Sequence, residues 1–347
     1  MISNKVLRFL LRRGPVFFLL AGWAISCARP GSPSPGGMEY AQWFDIQGEQ
    51  VIITSPYGAA PDTLDIPAPV KSLVCMSSSY IGFLDALGCD SVVAAVSGLP
   101  YISDPQVREH AVDVGYDAAL DYETIVRLHP DFVLTYAVSP AEPSYIQKLR
   151  EVGIRTVILH EHLESHPLAR AEYLKLFGLL TGRSEKADSL FRGIRDRYLA
   201  LIRETDSPKK VLVNIPYADQ WFIPGGDNYM TRLIQDAGGA VLGAVPGEYR
   251  SSVIDVEKAF QYAQEADFWL NPGWCTTKKQ LKSVHPLFGD FPVLEKQVWN
   301  NTKQATPGGG NAFWETGPVQ PDRILQDLRG ILDGTPDVSP SYYLPVL

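Results

Sequence analysis

A short acidic pattern occurs twice in the chain, and no other feature constrains the fold as much. Asp121-Tyr122-Glu123 opens a helix-like stretch that runs to Leu128, and His129-Pro130-Asp131 then turns into the apolar run Phe132-Val133-Leu134. About 130 residues later Asp255-Val256-Glu257 opens a second stretch that runs to Glu265, and Ala266-Asp267 turns into Phe268-Trp269-Leu270. Each copy reads as an acidic helix start, an amphipathic helix, a turn and a buried strand. Carboxylates suit a helix N-terminus because its unpaired N–H groups and its dipole favour negative charge. Two such units, one per half, predict two matched lobes. A glutamate on the surface of each would give another protein a two-point docking site.

The rest of the chain fits this frame. Residues 70–76, 92–97, 112–114, 132–136 and 156–159 read as short strands. Helices lie between them, including 80–87, which follows the N-cap candidates Ser77, Ser78 and Ser79 and stops at Gly88, and 144–151. Strands alternating with helices mean a parallel sheet covered on both faces. Residues 43–54 read as a small hairpin ahead of that sheet. A helix over 167–180 ends at Gly182, and a longer one over 185–204 follows, its apolar residues spaced by three and four. At ~1.5 Å per residue the longer helix is about 30 Å long, enough to cross between domains. The second half restarts with a strand at 211–215, a helix at 228–237, the helix at Glu257, and strands at 268–270 and 293–299. A closing helix covers 318–332, with Pro321 in its first turn, where proline is tolerated. The expected fold class is α/β: two α/β lobes with central parallel-type sheets, joined by one long interdomain helix. The expected boundaries are 38–183 for the first lobe, 184–206 for the spanning helix and 207–347 for the second lobe.

Residues 1–27 read as a processing signal. Lys5, Arg8, Arg12 and Arg13 form its positive start, and 16–25 is an apolar run too short to span a bilayer comfortably. It ends in Ala24-Ile25-Ser26-Cys27. Small residues just before a cysteine resemble the bacterial lipobox, in which the thiol is acylated and becomes the new N-terminus; the usual Leu three positions earlier is Ala24 here. An ordinary signal peptide or an N-terminal membrane anchor is the other reading. The expected layout is a lipoprotein signal peptide at 1–26 and a Pro/Gly/Ser tether at 27–37 that cannot build a core. The expected location is the periplasm, with the chain lipid-anchored to a membrane through Cys27. Without residues 1–26 the formal charge of −8 becomes −12, far from the basic face that nucleic-acid binding needs. Cys75, Cys89 and Cys275 then remain, an odd number that is no disulfide framework, and Cys75 reads as a buried hydrophobe rather than half of a Cys75–Cys89 bridge.

Several segments recur together in one known arrangement. They are Val74-Cys75-Met76-Ser77-Ser78-Ser79-Tyr80 with Leu84-Asp85-Ala86-Leu87-Gly88, then Val112-Asp113-Val114-Gly115-Tyr116, then Asp121-Tyr122-Glu123-Thr124-Ile125-Val126 with Pro130-Asp131. The spanning helix, residues 228–239, and residues 314–332 with their Pro321-Asp322 start complete the set. Their order and spacing, over roughly residues 70–335, resemble the class III periplasmic binding proteins, which deliver ferric siderophores, haem and vitamin B12 to ABC importers. The resemblance implies that one glutamate per lobe meets arginines on a permease, and Glu123 and Glu257 match those positions. It implies a monomeric, lipid-anchored solute-binding protein that captures a metal chelate of the ferric siderophore, haem or cobalamin type between its lobes. It implies no cofactor of the protein's own, and a membrane contact through the lipid anchor only. A binder specific for vitamin B12 or a related corrinoid is the alternative within the class. An enzyme or a surface adhesion module on the same scaffold is the alternative outside it.

In parallel α/β sheets, ligands sit beyond the carboxyl ends of the strands. The residues there in the first half are Ser78, Ser79, Tyr80, Tyr101, Tyr116, Tyr136 and Glu161, and in the second half Tyr217, Trp221, Tyr229, Arg250, Trp274 and Trp314. Aromatics at loop tips suit a bulky organic ligand, because they give large contact area at low ordering cost. Arg250 could pair with a carboxylate or an anionic chelate. His160, His162 and His166 form a candidate metal cluster, and imidazoles suit zinc, manganese or iron. They share one segment, however, and the second half offers only His285, so an exposed loop cluster is the preferred reading over direct metal binding. The chain has no G-x-S-x-G elbow, no phosphate-binding G-x-x-x-x-G-K-[ST] loop and no H-E-x-x-H, so an enzyme is not expected. Gly308-Gly309-Gly310 reads as a close turn at the cleft.

Overall fold

A computed structural model describes residues 37–116, 119–218, 220–335 and 339–347. All of them fall in one compact unit, Pro33–Leu347. The signal peptide, Cys27 and most of the tether lie outside the described residues.

The chain enters through a strap at 38–43 and a three-stranded antiparallel meander, β1 (Phe44–Gln47), β2 (Gln50–Ile53) and β3 (Asp62–Asp65). The expected hairpin is its first two strands. The first lobe follows, built on β4 (Leu73–Cys75), β5 (Val93–Val96), β6 (Val112–Asp113), β7 (Phe132–Thr135) and β8 (Thr156–Ile158). These strands are all parallel, in the order β6-β5-β4-β7-β8. The four helices threaded between them are α1 (Ser78–Leu87), α2 (Pro105–His110), α3 (Tyr122–Leu128) and α4 (Ser144–Glu151). The long apolar helix α5 (Pro167–Thr181) then ends in a left-handed Gly182. The spanning helix α6 (Ser184–Leu201) packs on α5. It stops three residues short of the expected Glu204, because Ile202 turns extended.

The second lobe is built on β9 (Lys209–Val213), β11 (Gly239–Val241), β13 (Phe268–Leu270) and β14 (Gln297–Asn300), all parallel, in the order β11-β9-β13-β14. Its helices are α7 (Tyr229–Asp236), α8 (Val256–Glu265), α9 (Lys278–Val284), the short α10 (Ala312–Glu315) and α11 (Pro321–Asp333). An antiparallel pair, β10 (Trp221–Ile223) with β12 (Ser252–Ile254), sits beside this sheet and was not foreseen. Nor was β15 (Leu344–Pro345), which adds an antiparallel edge to β14. The strand expected from residue 293 starts only at Gln297, since Pro292 opens a tight 3-10 turn over Pro292–Glu295. One apolar core joins a face of each sheet to α5, α6 and α11, and a second, smaller cluster covers the other face of the first sheet under α3 and α4.

The two acidic units occupy equivalent places. Asp121 accepts from Thr124 N at 2.9 Å and Asp255 from Lys258 N at 2.7 Å, so each caps its helix. After each helix, the next aspartate clamps the entry of the neighbouring central strand. Asp131 Oδ2 accepts from Lys71 N and Ser72 N ahead of β4, and Asp267 Oδ2 from Lys210 N at the start of β9. The backbones repeat the bond, Asp131 N to Ser72 O and Asp267 N to Lys210 O, both 2.8 Å. Helix α8 has three more residues than α3 (ten against seven), and the clamp is nevertheless kept.

Candidate ligand cleft and docking faces

The loops after β5 and β14 touch. Gly308 lies against the Pro100 carbonyl, and Gly310 against the Tyr101 carbonyl so closely that a Cβ there would sit 2.2 Å from that oxygen. This brings the carboxyl edges of the two sheets face to face, with Gly308-Gly309-Gly310 as the close turn between them. Glu315 on α10 strengthens the same junction. Its two oxygens accept from Ser103 N at 2.7 Å and Asp104 N at 2.8 Å in the first lobe. Burial, opposed by these hydrogen bonds, pushes its carboxyl up to about 7.

Deeper in the junction, Arg170 of α5 pairs with Glu161, Nη2 to Oε2 2.9 Å, and both side chains are buried. Its guanidinium lies 4.2 Å from the ring centre of Tyr229, which belongs to α7 of the second lobe. Burial opposes the charge on Arg170, but Glu161 and Tyr229 outweigh it and raise its pKa. A small pit is lined by Pro167, Arg170, Tyr229, Phe313, Trp314 and Pro318. To one side, a groove of about 540 Å³ runs between Gln42, Trp43, Leu163 and His166 of the first lobe and Asp227, Arg232 and Tyr249 of the second.

Of the residues named from sequence, Tyr229 and Trp314 come together at that pit. Tyr101, Tyr116 and Tyr136 are exposed on loops after β5, β6 and β7, and Trp274, 61% exposed, follows β13. Tyr101 lies against Gly309, and the Tyr136 ring is 5.6 Å from that of His162. Arg250 is exposed, and its Nε donates to the Tyr249 hydroxyl at 3.0 Å. Among the described residues no carboxylate forms an ion pair with it.

Three expectations are corrected. Tyr80 and Trp221 are each 1% exposed and belong to the core. Tyr80 donates to the Thr135 carbonyl at 2.8 Å, and its ring lies 5.8 Å from that of Phe177. Trp221 donates to the Val213 carbonyl at 2.9 Å and stacks on Trp269. Tyr80 lies in the first turn of α1 and Trp221 in β10, and both side chains turn inward. Ser79 is also buried, its hydroxyl 2.8 Å from that of Ser77.

The three histidines do separate work, and they do not form the expected exposed loop cluster: His160 is buried and His162 and His166 are half-buried. His166 Nδ1 accepts from Leu168 N and caps α5. His162 Nε2 donates to the Ala137 carbonyl at 3.2 Å. His160 is buried with Nδ1 unpartnered. Among the described residues these rings do not converge as one ligand set. Burial holds His160 down to about 4 and His166 to about 3, so both are neutral near pH 7. The cysteines Cys75, Cys89 and Cys275 are free and buried.

Glu123 and Glu257 are exposed in the first turns of α3 and α8. Sequence reasoning passed over Arg170, Glu315 and Phe313. Arg170 carried a signal: it is an arginine inside a helix where twelve of fifteen residues are buried, so it needs a buried carboxylate partner.

Residues 73–303 match the family model described as periplasmic binding protein. An uncharacterised lipoprotein of Methanocaldococcus jannaschii is 26% identical over 319 residues, covering 85% of this chain and 75% of that protein. The periplasmic haem-binding protein of Vibrio cholerae superposes with a TM-score of 0.58 at 19% identity, covering 75% of this chain and 98% of that one. The periplasmic vitamin B12-binding protein of Vibrio cholerae superposes at 0.55 with 16% identity, covering 77% and 98%. The chain belongs to the periplasmic binding protein family.

Proposed function

We propose that this periplasmic binding protein captures a bulky metal chelate between its two lobes and hands it to an ABC permease. The observation that carries the reading is the set of exposed aromatics, Tyr101, Tyr116, Tyr136, Trp274 and Trp314, on the facing carboxyl edges of two sheets. Phenol and indole rings give wide contact to a flat or bulky organic ligand and can still fix its polar groups. Arg250 would hold the acidic groups of such a ligand, being exposed and without a carboxylate partner among the described residues. Haem, a ferric siderophore and a cobalamin all fit this chemistry. The lobes are 38–183 and 207–347, with 184–206 between them, and the protein acts as a monomer.

Glu123 and Glu257 are the permease contacts in this reading. They project from equivalent helices, one per lobe, each beside a capping aspartate. Acylation of Cys27 would hold the body at the membrane on the 28–37 tether, and the lipoprotein relative is consistent with that. Among the described residues no helix is long and apolar enough to cross a membrane.

Tryptophan-fluorescence titration tests the cargo. The panel is haem, cyanocobalamin, cobinamide, several ferric siderophores, and free Fe³⁺, Zn²⁺ and Mn²⁺. Saturable sub-micromolar binding of one chelate, with Trp274 and Trp314 as reporters, is the expected result. Arg250→Ala should weaken an anionic chelate far more than a neutral one. Silence across the panel would defeat the chelate reading and favour an adhesion or enzymatic role.

A further inference from the structure

Three aspartates of the first lobe converge beside the segment that Glu315 of the second lobe holds. Asp85 is in the last turn of α1, Asp90 opens the 3-10 turn before β5, and Asp104 precedes α2. Each brings a carboxylate oxygen within 4.8 Å of the other two. Two ligands on opposite sides of a calcium ion, bound at ~2.4 Å, stand about 5 Å apart. The spacing therefore suits one shared ion.

Asp90 adds a separate observation. It is 8% exposed, and its Oδ1 has no hydrogen-bond partner. A buried, unpartnered carboxylate among like charges is costly unless something positive joins it. Lys186 of α6 and His110 of α2 are the basic groups that face the cluster, and Glu315 adds a further carboxyl from the second lobe. Neither basic group forms an ion pair with the cluster, and both ring nitrogens of His110 already face the carbonyls of Gln106 and Val93.

We propose that Asp85, Asp90 and Asp104 bind one hard divalent cation, of the calcium class. Oxygen-only donors select such ions over zinc or copper, which prefer nitrogen and sulfur. The ion would also steady the segment that the second lobe grips, since Asp104 Oδ1 caps α2 and the Asp104 N–H is held by Glu315.

Calorimetric titration of the EDTA-stripped, detergent-solubilised full chain with calcium chloride tests this, with terbium luminescence as a second readout. One saturable site is expected, with a dissociation constant on the order of 10⁻⁴–10⁻³ M, the range of extracellular calcium modules. Asp90→Asn keeps the shape and removes the charge, so it should weaken binding tenfold or more. Without calcium, the same variant should melt no lower than the wild type, because it relieves repulsion; this separates ion loss from misfolding. The proposal fails if the wild type shows no saturable binding, or if Asp90→Asn binds as tightly as the wild type.

Discussion

Arg170 shows how one residue can tie two lobes together. It sits in a helix almost wholly buried, so its charge survives only because Glu161 accepts from it and the face of Tyr229 lies against it. Removing one partner leaves the other charge buried without compensation, which costs about 3–5 kcal/mol. Arg170→Met should therefore lower stability by ~3 kcal/mol or more in urea unfolding. The double variant Glu161→Met, Arg170→Met should lose less than that single variant, because no orphan charge remains; simple additivity of the two single losses would refute the coupling. His160 makes a separate prediction through pH. Its folded pKa of about 4 lies below the ordinary 6.5, mainly through burial and then through His162. As pH falls below ~6.5 the unfolded chain takes up this proton first, so stability drops until pH reaches the folded value. At about 1.4 kcal/mol per unit the loss is on the order of 3 kcal/mol by pH 4. His160→Phe keeps a buried ring and should flatten that acid-side slope by this amount. A slope unchanged between pH 6.5 and 4 would place the acid sensitivity elsewhere.

At the level of elements, the twin capped helices rest on chemistry written in the sequence. An aspartate at an N-cap is worth about 1 kcal/mol against alanine. Asp121→Ala and Asp255→Ala should each cost about that, and the two losses should add, because the caps lie in different lobes and share no partner. Differential scanning calorimetry of both singles and the double would check this. These caps were legible because a polar residue before an amphipathic run has a single local job. So were the stops at Gly88 and Gly182, which take left-handed conformations. The parallel strands were legible as short apolar runs bounded by turns. The antiparallel pair β10 and β12 was not, since three residues per strand give too little alternation to read. The C-terminal strap was also opaque. Its order depends on Asp327, which accepts from Ser341 N and Tyr342 N, and such a partner is invisible to local pattern. Candidate cleft residues divided along the same line. Tyr101, Tyr136 and Trp274 are loop residues and emerged exposed. Tyr80 falls in the first turn of α1 and Trp221 in a strand, where the phase of the element against the sheet decides which way the ring turns, and sequence spacing does not carry that phase.

For the whole molecule, the decisive contact is the one that holds the lobes in register while the cleft stays accessible. Helix α6 joins the lobes along one side: it packs on α5, and Arg197 pairs with Asp322 of α11 while Tyr198 donates to Asp236 of α7. A rigid strut of this kind permits only small hinge motion. On the other side the junction depends on α10 lying directly on α1. A Cβ at Gly82 would stand 2.0 Å from the Glu315 carbonyl oxygen and 3.0 Å from the Thr316 Cα, and both obstacles are backbone, which cannot rotate aside. In an isolated helix Gly→Ala stabilises by about 1 kcal/mol. Here Gly82→Ala should instead destabilise by ~1–3 kcal/mol, the range for forced overpacking. It should also lift Glu315 from Ser103 and Asp104 and so loosen the lobes. Spin labels at exposed Lys148 and Lys279, one per lobe, should then give a broader distance distribution by double electron–electron resonance. Gly289→Ala, which meets nothing within 4 Å, serves as the control and should change neither stability nor distance. If Gly82→Ala melts like the wild type and keeps a narrow distribution, the α1–α10 contact is not what sets the lobe spacing. The strut α6 would then carry that role alone.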